Sequence, residues 1–60
     1  MYVLQRTTDG KFVARPGSAH SYVKELQLAQ AFSTKEEADR ARCPESERIV
    51  RVEDLMGQRF

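Results

Sequence analysis

Sixty residues, 40% hydrophobic and 32% charged, describe one small domain spanning 1–60, near the lower limit at which a chain folds unaided. Ten basic and nine acidic residues leave a net charge of +1, which argues against a strong sequence-independent grip on nucleic acid. No apolar run approaches the roughly 18 residues of a membrane span, and the single cysteine, Cys43, excludes an internal disulfide or a multi-cysteine zinc site.

Tyr2 to Arg15 reads as a β-hairpin, with two β-prone runs flanking Thr8-Asp9-Gly10. A two-residue Asp9-Gly10 loop would place Phe12 with Gln5 and Thr7. A three-residue loop with Gly10 in the left-handed region would pair Thr7 with Lys11 and Arg6 with Phe12. The second gathers Tyr2, Leu4, Phe12 and Ala14 on one face and leaves Val3, Gln5, Thr7, Lys11, Val13 and Arg15 on the other. Because one face of a small sheet must be apolar, the three-residue loop is expected.

Pro16 to Ser21 is turn-rich and closes the hairpin. Tyr22 to Leu26 is too short to classify by period, and Leu28 to Phe32 reads as a third strand. A rival reading runs one helix from about Tyr22 to Ala31. Ser33 or Thr34 then caps a helix running from Lys35 to Arg42 or Cys43, with Glu36 or Glu37 completing a capping box and Phe32 placed to staple the chain ahead of it. Ala38 and Ala41 form its narrow sheet-facing side, and Glu36–Arg40 and Lys35–Asp39 are spaced as i,i+4 pairs. Pro44 stops the helix. Arg48 to Val52 is the last strand, with Arg48, Val50 and Val52 on one face, and Ile49 with Arg51 on the other. Residues 54–60 are expected to form a tail, beginning with a helical turn from Glu53 to Met56. The assembled expectation is an α+β fold, ββ(β)αβ: an antiparallel sheet of three to four strands with one short helix packed on one face.

Charge segregates mildly. Arg6, Lys11 and Arg15 against Asp9 make the hairpin basic, while Glu36, Glu37, Asp39, Glu45 and Glu47 outweigh Lys35, Arg40 and Arg42 in the helical region. Catalytic constellations are absent from the pattern. One histidine, His20, lies in a Gly/Ser-rich turn, the helix carboxylates are accounted for by capping and solvation, and no phosphate-binding glycine loop occurs. An enzyme, a metal site and a cofactor are not expected, and Cys43 reads as a structural thiol in a buried or half-buried place. A sheet interleaving Tyr2, Phe12 and Tyr22 with Arg6, Lys11, Arg15, Arg48 and Arg51 is an alternative nucleic-acid surface, although the core claims Tyr2 and Phe12 first.

The layout of Tyr2–Arg6, Asp9-Gly10-Lys11, Phe12–Ala14, Phe32-Ser33-Thr34-Lys35-Glu36-Glu37-Ala38 and Ile49–Val52 resembles very small ββ(β)αβ proteins encoded by phages and prophages, a size class that includes anti-CRISPR-type inhibitors. That resemblance implies a stand-alone module acting by binding, an inhibitor or adaptor that occludes a surface of a larger host protein. It brings no functional residues with it. The net charge of +1 sets the chain apart from the strongly acidic members. The N-terminus lacks a basic segment followed by an apolar one, so the expected address is the cytoplasm, that of the host cell for a phage protein. The residues themselves point to the open sheet face as the partner-binding surface, with Gln5, Lys11, Val13, Arg15 and Arg51, and to Glu36, Glu37 and Asp39 as an acidic second surface. A homodimer through the same face is the further alternative.

Overall fold

The computed structural model describes residues 1–56, and the expected tail beyond them lies outside the described residues. Strands β1 (Tyr2–Arg6), β2 (Phe12–Val13), β3 (Tyr22–Val23) and β4 (Glu47–Arg51) form one antiparallel sheet in the order β3-β2-β1-β4. Helix α1 (Lys35–Ala41) precedes β4, and a short helix α2 (Val52–Met56) follows it. The α+β class with an antiparallel sheet and one short packed helix is therefore as expected.

The hairpin register is not. Gln5 stands opposite Phe12, Arg6 N–H donates to the Lys11 carbonyl at 2.7 Å, and Gly10 N–H donates to the Arg6 carbonyl at 2.9 Å. Residues 7–10 thus make a four-residue connection instead of three. The Asp9 carboxylate explains the choice: it accepts from the Lys11 backbone N–H at 3.1 Å and forms a two-pronged pair with the Arg6 guanidinium, tying both ends of the turn together. Gly10 occupies the left-handed region (φ 77°), as expected. The same pairing holds the Asp9 carboxyl down to about 2, through the Arg6 hydrogen bond first and the Lys11 N–H second.

A one-residue change of register moves every side chain to the other face. Phe12 and Ala14 consequently join Val3, and Leu4 joins Val13. Val3 (1% exposed) and Leu4 (0%) are neighbours in sequence, point to opposite faces and are both fully buried. The sheet has two covered faces. On one, Val3, Phe12 and Ala29 form a core closed by Val23, Leu26, Val50, Val52 and Leu55. On the other, α1 packs against β1 and β4 through Ala38, its one buried residue. Ala41, expected beside it, is exposed.

The third strand also differs from expectation. Tyr22–Val23 pairs with β2 as the outer strand, whereas Leu26–Leu28 is a 3-10 turn and the chain after it makes isolated bridges, Ala29 with Ala14 and Phe32 with Tyr2. Too short to show a period, Tyr22–Val23 is strand because β2 offers it an open edge. The start of β4 is one residue earlier than expected, and Val52 opens α2, but the alternation of Arg48, Val50 and Ile49, Arg51 is as read.

The α1 cap follows the sequence closely. Thr34 accepts from Glu37 N–H at 3.2 Å, and the Glu37 carboxylate accepts from Thr34 N–H at 3.3 Å and from the Ser33 hydroxyl at 3.1 Å. The Ser33 hydroxyl, then the Thr34 N–H, hold the Glu37 carboxyl below its ordinary value. Asp39 does not pair with Lys35. It pairs with Arg42 at 2.9 Å, because the turn towards β4 brings that guanidinium back over the helix end. Thr34→Ala is expected to lower stability by about 1 kcal/mol in a urea melt. No measurable change would show that the box is ornamental to the fold.

Candidate functional site

α1 covers one face of the sheet; the opposite face is closed by Leu26 of the 3-10 turn, Ala29 just after it, and Val52 and Leu55 of α2. Between them runs an open apolar groove of about 420 Å³, lined by Met1, Val3, Leu26, Ala29, Ala31 and Val52, with Arg15, Gln27 and Glu53 at its rim. Of the two large apolar side chains exposed among the described residues, Met1 (54%) lines the groove, and Leu28 (48%) ends the 3-10 turn whose Leu26 and Gln27 line it. The groove walls are pinned. Arg15 Nη2 donates to the Gln27 carbonyl at 2.7 Å, and the N-terminal ammonium pairs with Glu53 at 3.0 Å. That ammonium, accepting nothing and donating to Glu53, holds the Glu53 carboxyl below its ordinary value.

The residues expected to share an open face are dispersed by the register. Gln5 lies with Phe12 and Val3, its amide donating to the Gly10 carbonyl and its oxygen accepting from Arg48 at 3.0 Å. Val13 lies opposite Tyr22, and Lys11 is half-buried where the hairpin turns. Arg15 reaches the groove rim, and Arg51 is exposed on the edge strand β4. Glu36, Glu37 and Asp39 are exposed on α1, with Glu37 taken by the cap and Asp39 by Arg42. The five candidate nucleic-acid residues are likewise separated. Arg6 is engaged by Asp9, Arg15 by Gln27 and Arg48 by Gln5, while Arg48 and Arg51 of β4 line one depression that Arg6, Lys11 and Arg15 do not line.

One cluster has no counterpart in the sequence reading. Glu47, 6% exposed, accepts the Tyr22 phenol at 2.6 Å on one oxygen and the Cys43 backbone N–H at 3.0 Å on the other. The Arg6 guanidinium lies over the Tyr22 ring at 3.9 Å. The hydrogen bond to Glu47 holds the Tyr22 phenol above its ordinary value, with partial burial adding to it. Arg6, Tyr22 and Glu47 are separated by 16 to 41 positions along the chain, so no local spacing reveals their meeting; only the β1–β4, β1–β2 and β2–β3 pairings bring them together. Cys43 is exposed, not buried or half-buried as expected, because it lies in the connection between α1 and β4 and outside both packed faces.

Comparison with protein-family models, curated proteins and solved structures found no match. The site therefore speaks through its own chemistry. Among the described residues no three His, Cys, Asp or Glu side chains are placed to hold a metal ion, and no helix is long and apolar enough to cross a membrane. What the groove offers is apolar surface with two opposite charges, Arg15 and Glu53, among its lining residues.

Proposed function

We propose that this chain is a non-catalytic protein-binding module, an inhibitor or adaptor of the kind found among small phage proteins, that occludes a surface of a larger protein. The observation that carries the reading is the open apolar groove: a sixty-residue domain with little core to spare leaves Met1, Leu26, Ala31 and Val52 lining a surface that none of the described residues fills. An anchoring Leu, Met or aromatic side chain of the partner would fill it, with Arg15 and Glu53 meeting polar groups at the rim.

The test is capture by the immobilised chain from an extract of its host cells, followed by light scattering of the purified complex. Ala31→Glu combined with Gln27→Glu, both at exposed groove positions, is expected to weaken capture by about tenfold or more while leaving the circular dichroism spectrum unchanged. Undiminished capture by this variant would remove the groove from the reading. A stable dimer of the chain alone, broken by the same variant, would replace a foreign partner with a second copy.

A further inference from the structure

β4 is an edge strand, and among the described residues its outward ladder is open at its centre. Val52 N–H donates to the Met1 carbonyl and Thr7 N–H donates to the Ser46 carbonyl across the β1–β4 pairing. By the alternation of an antiparallel ladder, Arg48 and Val50 turn their backbone groups towards β1, and Glu47, Ile49 and Arg51 turn theirs outward. Glu47 is closed locally, since its N–H donates to the Cys43 carbonyl at 2.9 Å and its carbonyl accepts from Arg42 at 3.4 Å. The Ile49 N–H and carbonyl and the Arg51 N–H remain facing outward.

The side chains around this stretch are unbalanced in charge. Lys35 from α1 joins Arg48, Ile49 and Arg51 around a depression of about 410 Å³, with Asp54 as the one carboxylate lining it. Among the described residues, none of the three cations has an ion-pair partner. Farther along α1, Glu36 and Asp39 flank the other side of Ile49, and Asp39 is already paired with Arg42.

We infer that β4 accepts an extended acidic segment of another protein as a fifth, antiparallel strand, with the pattern acidic–any–apolar–acidic. The register dictates the order. A residue paired with Ile49 takes both of its free backbone groups and lies against its side chain, so it is apolar. Two positions before it stands the residue opposite Arg51, on the face shared with Ile49, where a carboxylate meets Arg51 and Lys35. One position after it stands the residue opposite Arg48, on the other face, where a second carboxylate meets that guanidinium. A second copy of this chain does not meet the pattern. Pairing Ile49 with its own counterpart sets Val50 opposite Arg48, and opposite Arg51 it sets Glu47, whose carboxylate is held by Tyr22 and Cys43. The inference rests on the binding-module reading for the class of partner but uses a different surface from the groove.

The probe is a fluorescein-labelled synthetic peptide carrying Glu-Thr-Val-Glu between Ser and Thr flanks, compared with an isomer carrying Glu-Thr-Glu-Val. Fluorescence anisotropy should show the first binding about tenfold more tightly than the isomer; Arg48→Glu should abolish that preference, and Lys35→Glu with Arg51→Glu should weaken both peptides. Amide hydrogen exchange should slow at Ile49 and Arg51 when the first peptide is added. Absence of binding, equal affinity for both peptides, or protection confined to Ala31 and Val52 in the groove would overturn the inference. The Ala31→Glu, Gln27→Glu variant should bind the peptide unchanged, so failure of the groove and failure of the edge are read separately.

Discussion

Leu4→Ala should leave the chain largely unfolded at room temperature. Leu4 is 0% exposed, sits in the central strand opposite Ile49, and lies on the face that α1 covers with no more than the methyl group of Ala38. A Leu→Ala change at a buried site costs about 2–5 kcal/mol, depending on how far the surroundings collapse. Here collapse is restricted, because the strand is hydrogen-bonded on both sides and no long side chain from α1 is buried there to move in. A single core of this size supplies about 3–5 kcal/mol in total, so the loss is comparable with the whole stability. Urea denaturation followed by circular dichroism measures it. A cooperative transition weakened by less than about 1 kcal/mol would show that the α1 face contributes little to the core.

Glu47→Ala should be the second most damaging change, at about 2–3 kcal/mol, because it strands two donors at once. The Tyr22 phenol loses a 2.6 Å acceptor and the Cys43 N–H a 3.0 Å one, in a place where water reaches poorly. Glu47→Gln keeps an acceptor oxygen and should cost less. The same contact has a pH signature. The Tyr22 phenol, donating to the Glu47 carboxylate, is held above its ordinary value of 10.0 in the folded state. A group raised on folding contributes its stabilisation fully below its unfolded value, and loses it as pH rises through the folded one. Stability should therefore fall above pH 10, and the Tyr22→Phe variant should lose that part of the fall. Tyrosinate absorbance, which should show a late-titrating phenol in the native protein and an ordinary one in Glu47→Ala, checks the cause directly. Coincident titration in both proteins would dissociate the phenol from Glu47.

The β4-edge and groove readings differ in kind from these stability effects. Ala31, Gln27, Lys35 and Arg51 are exposed, so substitutions there should leave the fold standing and report on the proposed surfaces alone. This separation matters in a domain where most buried substitutions would abolish binding by unfolding the chain.

Local chemistry was legible from the residues. Thr34 with Glu37, Gly10 in the left-handed turn and the alternation along β4 all depend on neighbours within four positions and occur where the sequence places them, and α1 ends at Ala41, one residue short of the expected Arg42. The hairpin register was not legible, for a definite reason. Tyr2-Val3-Leu4 and Phe12-Val13-Ala14 are apolar at consecutive positions, so either register puts apolar groups on a covered face. Assuming one wet face selected the three-residue loop, whereas Asp9, by binding Arg6 and Lys11 N–H together, selects four. Choosing the register wrongly moved Val3 from the core to the supposed binding face and gathered Gln5, Val13 and Arg51 where they do not meet.

By itself, then, the sequence determined the class of fold, the capped helix, and the places where strands begin and end to within a residue or two for β1, β2 and β4. Tertiary structure decided which faces are buried, that Tyr22–Val23 is a strand, that Glu47 is an interior carboxylate, and that the exposed apolar surface is a groove between the 3-10 turn and α2. The physical divide is range. Caps and turns are settled by hydrogen bonds between near neighbours, whose energies a short segment carries with it. Burial on two faces of one sheet is settled by contacts between residues as distant as Val3 and Val52, and such contacts exist only once the chain has closed on itself.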